Sequence, residues 1–300
     1  LVLDRVHGIP FAVGAFTNLT QDHLDFHKTM EEYRRAKGLL FAQCRRSVVN
    51  LDDEAGRWYA GHISGPVFTY SENRAQADLT ARNIRLFPGH VEFEAVTLGH
   101  IARVHLPIPG GFSIYNALAA LSAGLCLELP LEQLAPALRS VHGVKGRVEV
   151  VPTPGKDYTV LIDYAHSPDG LENVLRSVKG FAKGRTVALF GCGGDRDKAK
   201  RPKMGKIACD IADFVVVTTD NPRTEVPGDI IRDILAGMEG TKTPYTVVED
   251  RIEAIHFCLD HAQAGDVIVL CGKGHETYQE VNHVKHHMDE REIVADYLKK

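Results

Sequence analysis

The fold is decided by residues 158–197, which read YTVLIDYAHSPDGLENVLRSVKGFAKGRTVALFGCGGDRD. An apolar run at 159–162 is followed by a helical pattern at 168–178 and by a second apolar run at 186–190. Further along the chain, helices are predicted at 203–211, 228–235 and 251–261, and strands at 214–218, 245–248 and 266–270. Strands that alternate with helices predict a doubly wound, largely parallel sheet. This Rossmann-like part has no GxGxxG fingerprint, so the architecture alone does not indicate a dinucleotide.

The first half of the chain has a different pattern. Helices are predicted at 29–43, 52–59, 113–127 and 131–140, and a buried strand at 47–51. Short alternating runs broken by Gly and Pro between 67 and 106 predict antiparallel strands. A chain of 300 residues is long enough for two domains. We place the boundary in the Gly- and Lys-rich stretch at 142–147, which gives domains 1–146 and 147–300.

Composition excludes several classes of protein. A hydrophobic fraction of 44% argues against disorder, and a net charge of -4 gives no general basic field for nucleic acid. The sequence has no apolar run of about 18 residues, so membrane insertion is not expected. The six cysteines form no CxxC pair and several lie in apolar runs, which indicates reduced thiols in a cytoplasmic protein.

Four polar motifs follow predicted strands of the second half. They begin at Asp163, Gly191, Thr218 and Gly272. Each motif alone is weak, because Asn-Pro pairs commonly begin turns and glycine-rich loops commonly close βα connections. Ligands of parallel sheets, however, bind beyond the C-terminal ends of the strands, where all four motifs should meet.

The charged residues of these motifs indicate the kind of ligand. Arg196 and Arg223 are planar cations suited to bidentate carboxylate recognition, and Glu276 offers an acceptor for an ammonium group. This mixture predicts a zwitterionic, amino-acid-like ligand.

The strings DYAHSPDGLENVL, FGCGGDRDKAKRPKMG, TTDNPRTEVPGDII, GKGHETYQ and TNLTQDHLDFHKTMEEYRRAK closely resemble the diaminopimelate-adding Mur ligases. The resemblance covers essentially the whole chain. It implies a partial central ATP-binding domain followed by the Rossmann-like C-terminal domain. By this resemblance the incoming amino acid is held by Arg196, Asn221, Arg223, Gly272 and Glu276. Lysine-adding relatives lack the Arg of DNPR, and lysine has no second carboxylate, so Arg223 points to diaminopimelate.

The resemblance also implies a magnesium side of the site. From the residues alone, His23 is either a metal ligand or a helix cap, and the resemblance makes it a contact to Mg²⁺. Lys37 lies on the apolar stripe of its helix, where a lysine ordinarily extends to the surface. The matching lysine of the family is carbamylated by CO₂, and the resulting carboxylate suits Mg²⁺ better than an amine.

Other residues resemble the nucleotide and substrate contacts of the family. Taken alone, Asn116 is a solvent-facing helix residue, Arg147 a linker ion pair and Arg5 a solvated terminal residue. The resemblance implies that Asn116 contacts adenine, Arg147 the ATP phosphates and Arg5 the UDP-linked substrate. It places Asp163 near the ribose and His166 close to the same site.

The implied reaction is acyl activation by a monomeric, ATP- and Mg²⁺-dependent ligase. ATP phosphorylates a carboxylate of UDP-MurNAc-L-Ala-D-Glu, and the amine of meso-diaminopimelate displaces the phosphate to form an amide in peptidoglycan precursor synthesis. Lys37, His23 and Arg147 would carry the catalytic roles.

The sequence lacks the glycine-rich loop ending in Gly-Lys-Thr or Gly-Lys-Ser that cradles phosphates in this family. Its Gly-Lys pairs precede Asp157, Ile207 and Gly274. We therefore expect an inactive fragment whose phosphate loop and UDP-binding domain would precede Leu1. Two alternatives remain: a non-catalytic amino-acid-binding module, and a ligase resembling folylpolyglutamate synthase. The second would not be expected to carry both DNPR and GKGHE.

Overall fold

The computed structural model describes residues 1–3, 5–19 and 29–299. These residues form two compact units that divide between Val141 and His142, and the short segments 86–89 and 108–110 group with the second unit. The sequence placed the boundary a little later, after Gly146. His23 lies outside the described residues. Within the described part of the chain, no helix is both long and apolar enough to cross a membrane.

The N-terminal unit contains a six-stranded sheet in the order β1-β2-β3-β4-β5-β6. Its strands are β1 (Phe11–Phe16), β2 (Cys44–Asn50), β3 (Val67–Ser71), β4 (Leu79–Leu86), β5 (Val91–Thr97) and β6 (His100–Leu106). The antiparallel prediction for residues 67–106 is confirmed for β5 and β6. It is wrong for β3, which pairs in parallel with both β2 and β4. Alternating apolar residues reveal a half-buried strand but carry no information about its direction.

The helices of this unit are α1 (Met30–Gly38), α2 (Glu54–His62), α3 (Gly111–Cys126) and α4 (Leu131–Ala137). Thr29 caps α1, because its side chain accepts a hydrogen bond from the Glu32 amide. The predicted helix to residue 43 is too long: α1 ends at Gly38, and a 3-10 turn follows at Phe41–Gln43. A Cβ at Gly38 would lie 3.0 Å from the Tyr59 ring, so the glycine lets the helix end pack closely there.

The C-terminal unit contains a second six-stranded sheet in the order β11-β10-β9-β12-β8-β7. Its strands are β7 (Glu149–Val151), β8 (Thr159–Asp163), β9 (Thr186–Phe190), β10 (Phe214–Val217), β11 (Tyr245–Val247) and β12 (Val267–Cys271). All pair in parallel except β7, which is antiparallel to β8. Alternate residues of each buried strand face opposite layers: Leu161 belongs to one apolar cluster and its neighbour Val160 to the other.

Helices cover both faces of this sheet, which confirms the doubly wound prediction. They are α5 (Pro168–Lys179), α6 (Lys200–Ile211), α7 (Pro227–Ala236), α8 (Arg251–Asp260) and α9 (Glu290–Leu298). Leu171, Met204 and Ile230 bring α5, α6 and α7 to one apolar cluster. Ala254 and Val294 bring α8 and α9 to the cluster on the other face.

The sequence analysis missed β7, α9 and a small hairpin. The hairpin consists of β13 (Tyr278–Val281) and β14 (Val284–His287), joined through Asn282 and His283. Both turn residues have positive φ, 48° and 64°, as a tight two-residue hairpin turn requires. The hairpin matters for the site because the Arg223 amide donates to the Glu280 carbonyl (3.1 Å) and the Asn282 amide to the Arg223 carbonyl (2.8 Å).

Candidate functional site

The four polar motifs follow β8, β9, β10 and β12, which are neighbours in the order β10-β9-β12-β8. These strands are parallel, so their C-terminal ends lie at one edge of the sheet. The predicted meeting of the motifs is therefore confirmed.

A polar cluster of buried Asn221, buried Lys273 and half-buried Glu276 lies at this edge. The side-chain oxygen Oδ1 of Asn221 accepts hydrogen bonds from Lys273 Nζ (2.7 Å) and from the backbone amide of Glu280 (2.8 Å). Its amide nitrogen Nδ2 donates to Glu276 Oε2 (2.9 Å). Because the side-chain oxygen only accepts and the nitrogen only donates, these partners hold the Asn221 amide in one orientation.

Glu276 is ionised at neutral pH. Burial alone would raise its pKa, but hydrogen bonds from Lys273 and Asn221 and the charge of Lys273 outweigh burial and lower it. Lys273 Nζ donates to Glu276 Oε2 at 2.8 Å. Both side-chain hydrogen bonds reach Oε2, and among the described residues none reaches Oε1. Oε1 is therefore the atom available for a ligand cation.

Arg223 and Arg196 flank Gly193. A Cβ built on Gly193 would lie 2.9 Å from Arg223 Nη1 and 3.8 Å from Arg196 Cγ. Arg223 Nη1 donates to the Gly194 carbonyl (2.7 Å), and its Nε lies 3.4 Å from Glu280 Oε2. Arg196 is exposed and makes no hydrogen bond with any described residue. The side chains of both predicted carboxylate-binding residues therefore pass next to Gly193.

A buried arginine that the sequence analysis missed holds the two cation-bearing loops together. Arg201 donates to both oxygens of Glu225 (2.8 and 3.0 Å) and to Asp233 (2.8 Å). Glu225 also accepts from the Asp195 amide (2.6 Å). The hydrogen bonds from Arg201 are the largest cause of the fall in the Glu225 pKa to about 2. No sequence signal singled out this residue, because Arg201 precedes the helix predicted at 203–211.

Gly272 allows the β10 and β12 loops to approach. Its φ is +111°, and a Cβ there would lie 2.6 Å from Asp220 Oδ2. Its amide donates to the Asp163 carbonyl (3.0 Å). The structure thus gives Gly272 a packing role, and its contact with an amino acid stays a prediction.

Three of the predicted nucleotide-side residues gather around Tyr164. Asp163 is buried, and its two oxygens accept from the Val148 and Ala165 amides (2.8 Å each). Burial raises its pKa, and the two hydrogen bonds oppose that rise. The Arg147 guanidinium is exposed and lies 5.3 Å from the centre of the Tyr164 ring. His166 Nδ1 lies 2.8 Å from the Tyr164 carbonyl oxygen.

In the N-terminal unit the predicted residues are less closely grouped. Lys37 is half-buried, donates to the Asn18 carbonyl (3.1 Å) and lies 5.1 Å from the Tyr33 ring centre. Asn116 on α3 and Arg5 are both exposed. Among the described contacts, Arg5, Lys37 and Asn116 do not touch one another.

An acidic residue missed in the sequence analysis contacts Tyr115, the residue before Asn116 on α3. Asp52 accepts from Ser71 Oγ (2.6 Å), the Glu72 amide (2.7 Å) and Tyr115 Oη (3.1 Å). Burial opposes its ionisation, but these hydrogen bonds outweigh burial and lower its pKa. The Asp52 carboxylate therefore ties the ends of β2 and β3 to α3, the helix that carries Asn116.

Two family models match the chain: the Mur ligase middle domain at residues 1–124, and the Mur ligase glutamate ligase domain at residues 146–274. The chain belongs to the Mur ligases. It is 44% identical over 304 residues to a UDP-N-acetylmuramoyl-L-alanyl-D-glutamate--2,6-diaminopimelate ligase of Clostridioides difficile. It is 45% identical to the ligase of the same name from Bacillus cereus. The match takes in 100% and 99% of this chain, respectively, and 62% of each relative.

A solved structure of a ligase of the same name superposes with a TM-score of 0.79 at 35% identity. The match covers 98% of this chain and 61% of that one. These matches confirm the predicted Mur-ligase fold. The chain thus spans about three fifths of the length of these relatives.

Proposed function

We propose that the chain carries the amino-acid-binding part of an ATP-dependent ligase that adds meso-diaminopimelate to UDP-MurNAc-L-Ala-D-Glu. The observation that carries the proposal is the placement of ionised Glu276 and the Arg196–Arg223 pair at one edge of one sheet. Relatives named for this reaction, at 44 and 45% identity, support it.

The roles of the residues follow from their charges. Glu276 accepts hydrogen bonds from an ammonium group of the amino acid through Oε1, while Lys273 and Asn221 hold its other oxygen. Arg223 and Arg196 bind carboxylate, because guanidinium groups match its geometry with two parallel hydrogen bonds. One zwitterionic end of diaminopimelate is thereby fixed, and its other amine is left for the attack.

The nucleotide side supports the proposal in part. ATP would supply the phosphoryl group that activates the substrate carboxylate, and Mg²⁺ would neutralise the phosphates. Arg147 offers an exposed cation for phosphate, and Asn116 an exposed amide for adenine. Lys37 presents an amine, which is a poor ligand for Mg²⁺, so the proposal includes its carbamylation. His23 is the proposed second protein ligand, and the enzyme is proposed to act as a cytoplasmic monomer.

The proposal is tested by calorimetric titration of the 300-residue chain with meso-diaminopimelate. Glu276→Gln should weaken binding by about tenfold or more, because a hydrogen bond to a charged group contributes about 1.5–3 kcal/mol. The matched control is Glu172→Gln, an exposed carboxylate that pairs with Arg176 on α5. Equal affinity in the parent and in Glu276→Gln would contradict the proposed ammonium site.

A non-catalytic binding module is the second candidate. The observation that favours it is that Arg196, Arg223 and Glu276, the residues proposed to hold the amino acid, all belong to the C-terminal unit. Both candidates predict binding of the amino acid, so only turnover separates them. Amide formation by this chain, when joined to the phosphate-loop part of a relative, would exclude the module.

A further inference from the structure

Two histidines and a glutamate converge on the solvent-facing side of the β5–β6 hairpin. Glu92 and His105 are direct cross-strand partners. His90 precedes Glu92 by two residues, which places both side chains on the same side of an extended chain. The intervening Val91 and the next residue, Phe93, are buried on the opposite side.

The three side chains meet around one oxygen atom. Glu92 Oε1 lies 3.4 Å from His105 Nδ1 and 3.7 Å from His90 Nε2. The centres of the two imidazole rings are 4.5 Å apart. One ligand atom from each residue can be chosen so that all three lie within 4.8 Å of one another.

This spacing is close to that of a metal site. Ligand atoms at about 2.0–2.1 Å from a tetrahedral zinc ion are about 3.4 Å apart. The distances from Glu92 Oε1 to His105 Nδ1 and to His90 Nε2, 3.4 and 3.7 Å, are already near that value.

We propose that His90, Glu92 and His105 form a binding site for a divalent transition-metal ion of the zinc class. Two imidazole nitrogens and one carboxylate oxygen suit Zn²⁺ or Co²⁺, whereas Mg²⁺ prefers oxygen ligands throughout. His105 and Glu92 also line a cavity of about 780 Å³, from which water can supply the fourth ligand. The bound ion clamps the open end of the hairpin, because Glu92 and His105 lie opposite each other on β5 and β6 and His90 directly precedes β5.

The test is titration of the purified, chelator-treated 300-residue chain with Co²⁺ and Zn²⁺ in the presence of a reductant. Co²⁺ should give the visible absorption of a four-coordinate complex at one equivalent, and Zn²⁺ should displace it. His105→Ala and Glu92→Gln should each weaken Zn²⁺ binding at least about tenfold. Zn²⁺ should also raise the Tm of the parent by more than that of either variant, because the stabilisation by a bound ion falls as its affinity falls.

The matched control is His100→Ala on the same strand, whose imidazole pairs with Glu132 at 2.8 Å and should not contribute. Glu92→Gln preserves side-chain shape, so it keeps the test valid if His105→Ala does not fold. Unchanged Zn²⁺ affinity in the folded variants would overturn the proposal. An equal loss in His100→Ala would also overturn it, because the ion would then be bound elsewhere on the hairpin.

Discussion

Lys273 Nζ and Glu276 Oε2 are joined by a 2.8 Å ion pair in which the ammonium is fully buried. The same ammonium donates to Asn221 Oδ1 at 2.7 Å, so one cation orients two predicted ligand-binding side chains. A buried charge without a partner destabilises the fold, so removing one member of a buried ion pair leaves the other as an uncompensated charge. Lys273 is thus a positioning residue for the proposed ammonium site, although no sequence pattern singled it out.

Lys273→Met should impair amino-acid binding without removing any group proposed to touch the ligand. Without the ammonium, burial should raise the pKa of Glu276, and the Asn221 amide loses a partner that fixes its orientation. We expect affinity for meso-diaminopimelate to fall by about tenfold or more at pH 7. Calorimetry on Lys273→Met and on the exposed control Lys206→Met would measure it. Equal affinities in both variants would contradict the positioning role.

The Arg201–Glu225 pair should make stability depend on pH. The ordinary pKa of the Glu225 carboxyl group is 4.5, and in the folded protein this pKa falls to about 2. A carboxyl group whose pKa is lowered by folding stabilises the folded state above its unfolded pKa. That contribution is lost as the pH falls from 4.5 towards 2. Glu225→Gln should therefore be less stable than the parent at pH 7, and the difference should shrink below pH 4.5. Urea unfolding at pH 7, 5 and 3 would measure it; a constant difference would contradict the account.

Gly272→Ala should destabilise the C-terminal unit more than an alanine at Gly240. Both glycines have positive φ, +111° and +74°, but nothing lies within 4 Å of a Cβ at Gly240. The Gly240→Ala control therefore measures backbone strain alone, roughly 1–2 kcal/mol. In Gly272→Ala the new Cβ would also lie 2.6 Å from Asp220 Oδ2, so the free energy of unfolding should fall further than in Gly240→Ala. Equal unfolding free energies for the two variants would show that the Asp220 contact is tolerated.

Lys37 should be carbamylated once the phosphate loop is supplied. We expect a fusion of this chain to the preceding part of the Clostridioides difficile relative to show a carbamate signal in ¹³C NMR with labelled bicarbonate. The 300-residue chain alone should show no such signal and no ATP hydrolysis, because phosphate neutralisation contributes most to this chemistry. Lys37→Ala in the fusion should lose both signal and activity, and short carboxylic acids should partly restore activity. Full activity in the unrescued variant would show that Lys37 only packs.

Much of the C-terminal unit could be predicted from the sequence, because its buried strands are short apolar runs separated by helices that each have an apolar face. Thr186–Phe190 matches its prediction at both ends. The small hairpin could not be predicted, since β13 and β14 contain no fully buried residue and follow no apolar pattern. Strand direction in the N-terminal unit was also hidden, because the apolar pattern of β3 does not show that it continues the parallel sheet from β2 through α2.

The parts of the candidate site that could be predicted are those in which charged residues belong to a recognisable motif. Arg196, Arg223 and Glu276 were identified from their residue types and positions after strands, and the structure brings their motifs to one edge. Lys273 and Arg201 were missed, because their importance comes from burial and from partners 52 and 24 residues away in sequence. Sequence distance conceals such partnerships until the sheet brings the loops together.

The central claim is tested most directly by the amino-acid preference of Arg223. We expect the parent chain to bind meso-diaminopimelate more tightly than L-lysine, because only diaminopimelate offers the second carboxylate for this guanidinium. In Arg223→Ala, affinity for diaminopimelate should fall about ten- to a hundredfold, and affinity for lysine should change far less. Arg176→Ala, an exposed arginine paired with Glu172, is the control. Calorimetry that found an equal loss for both amino acids would contradict the assignment.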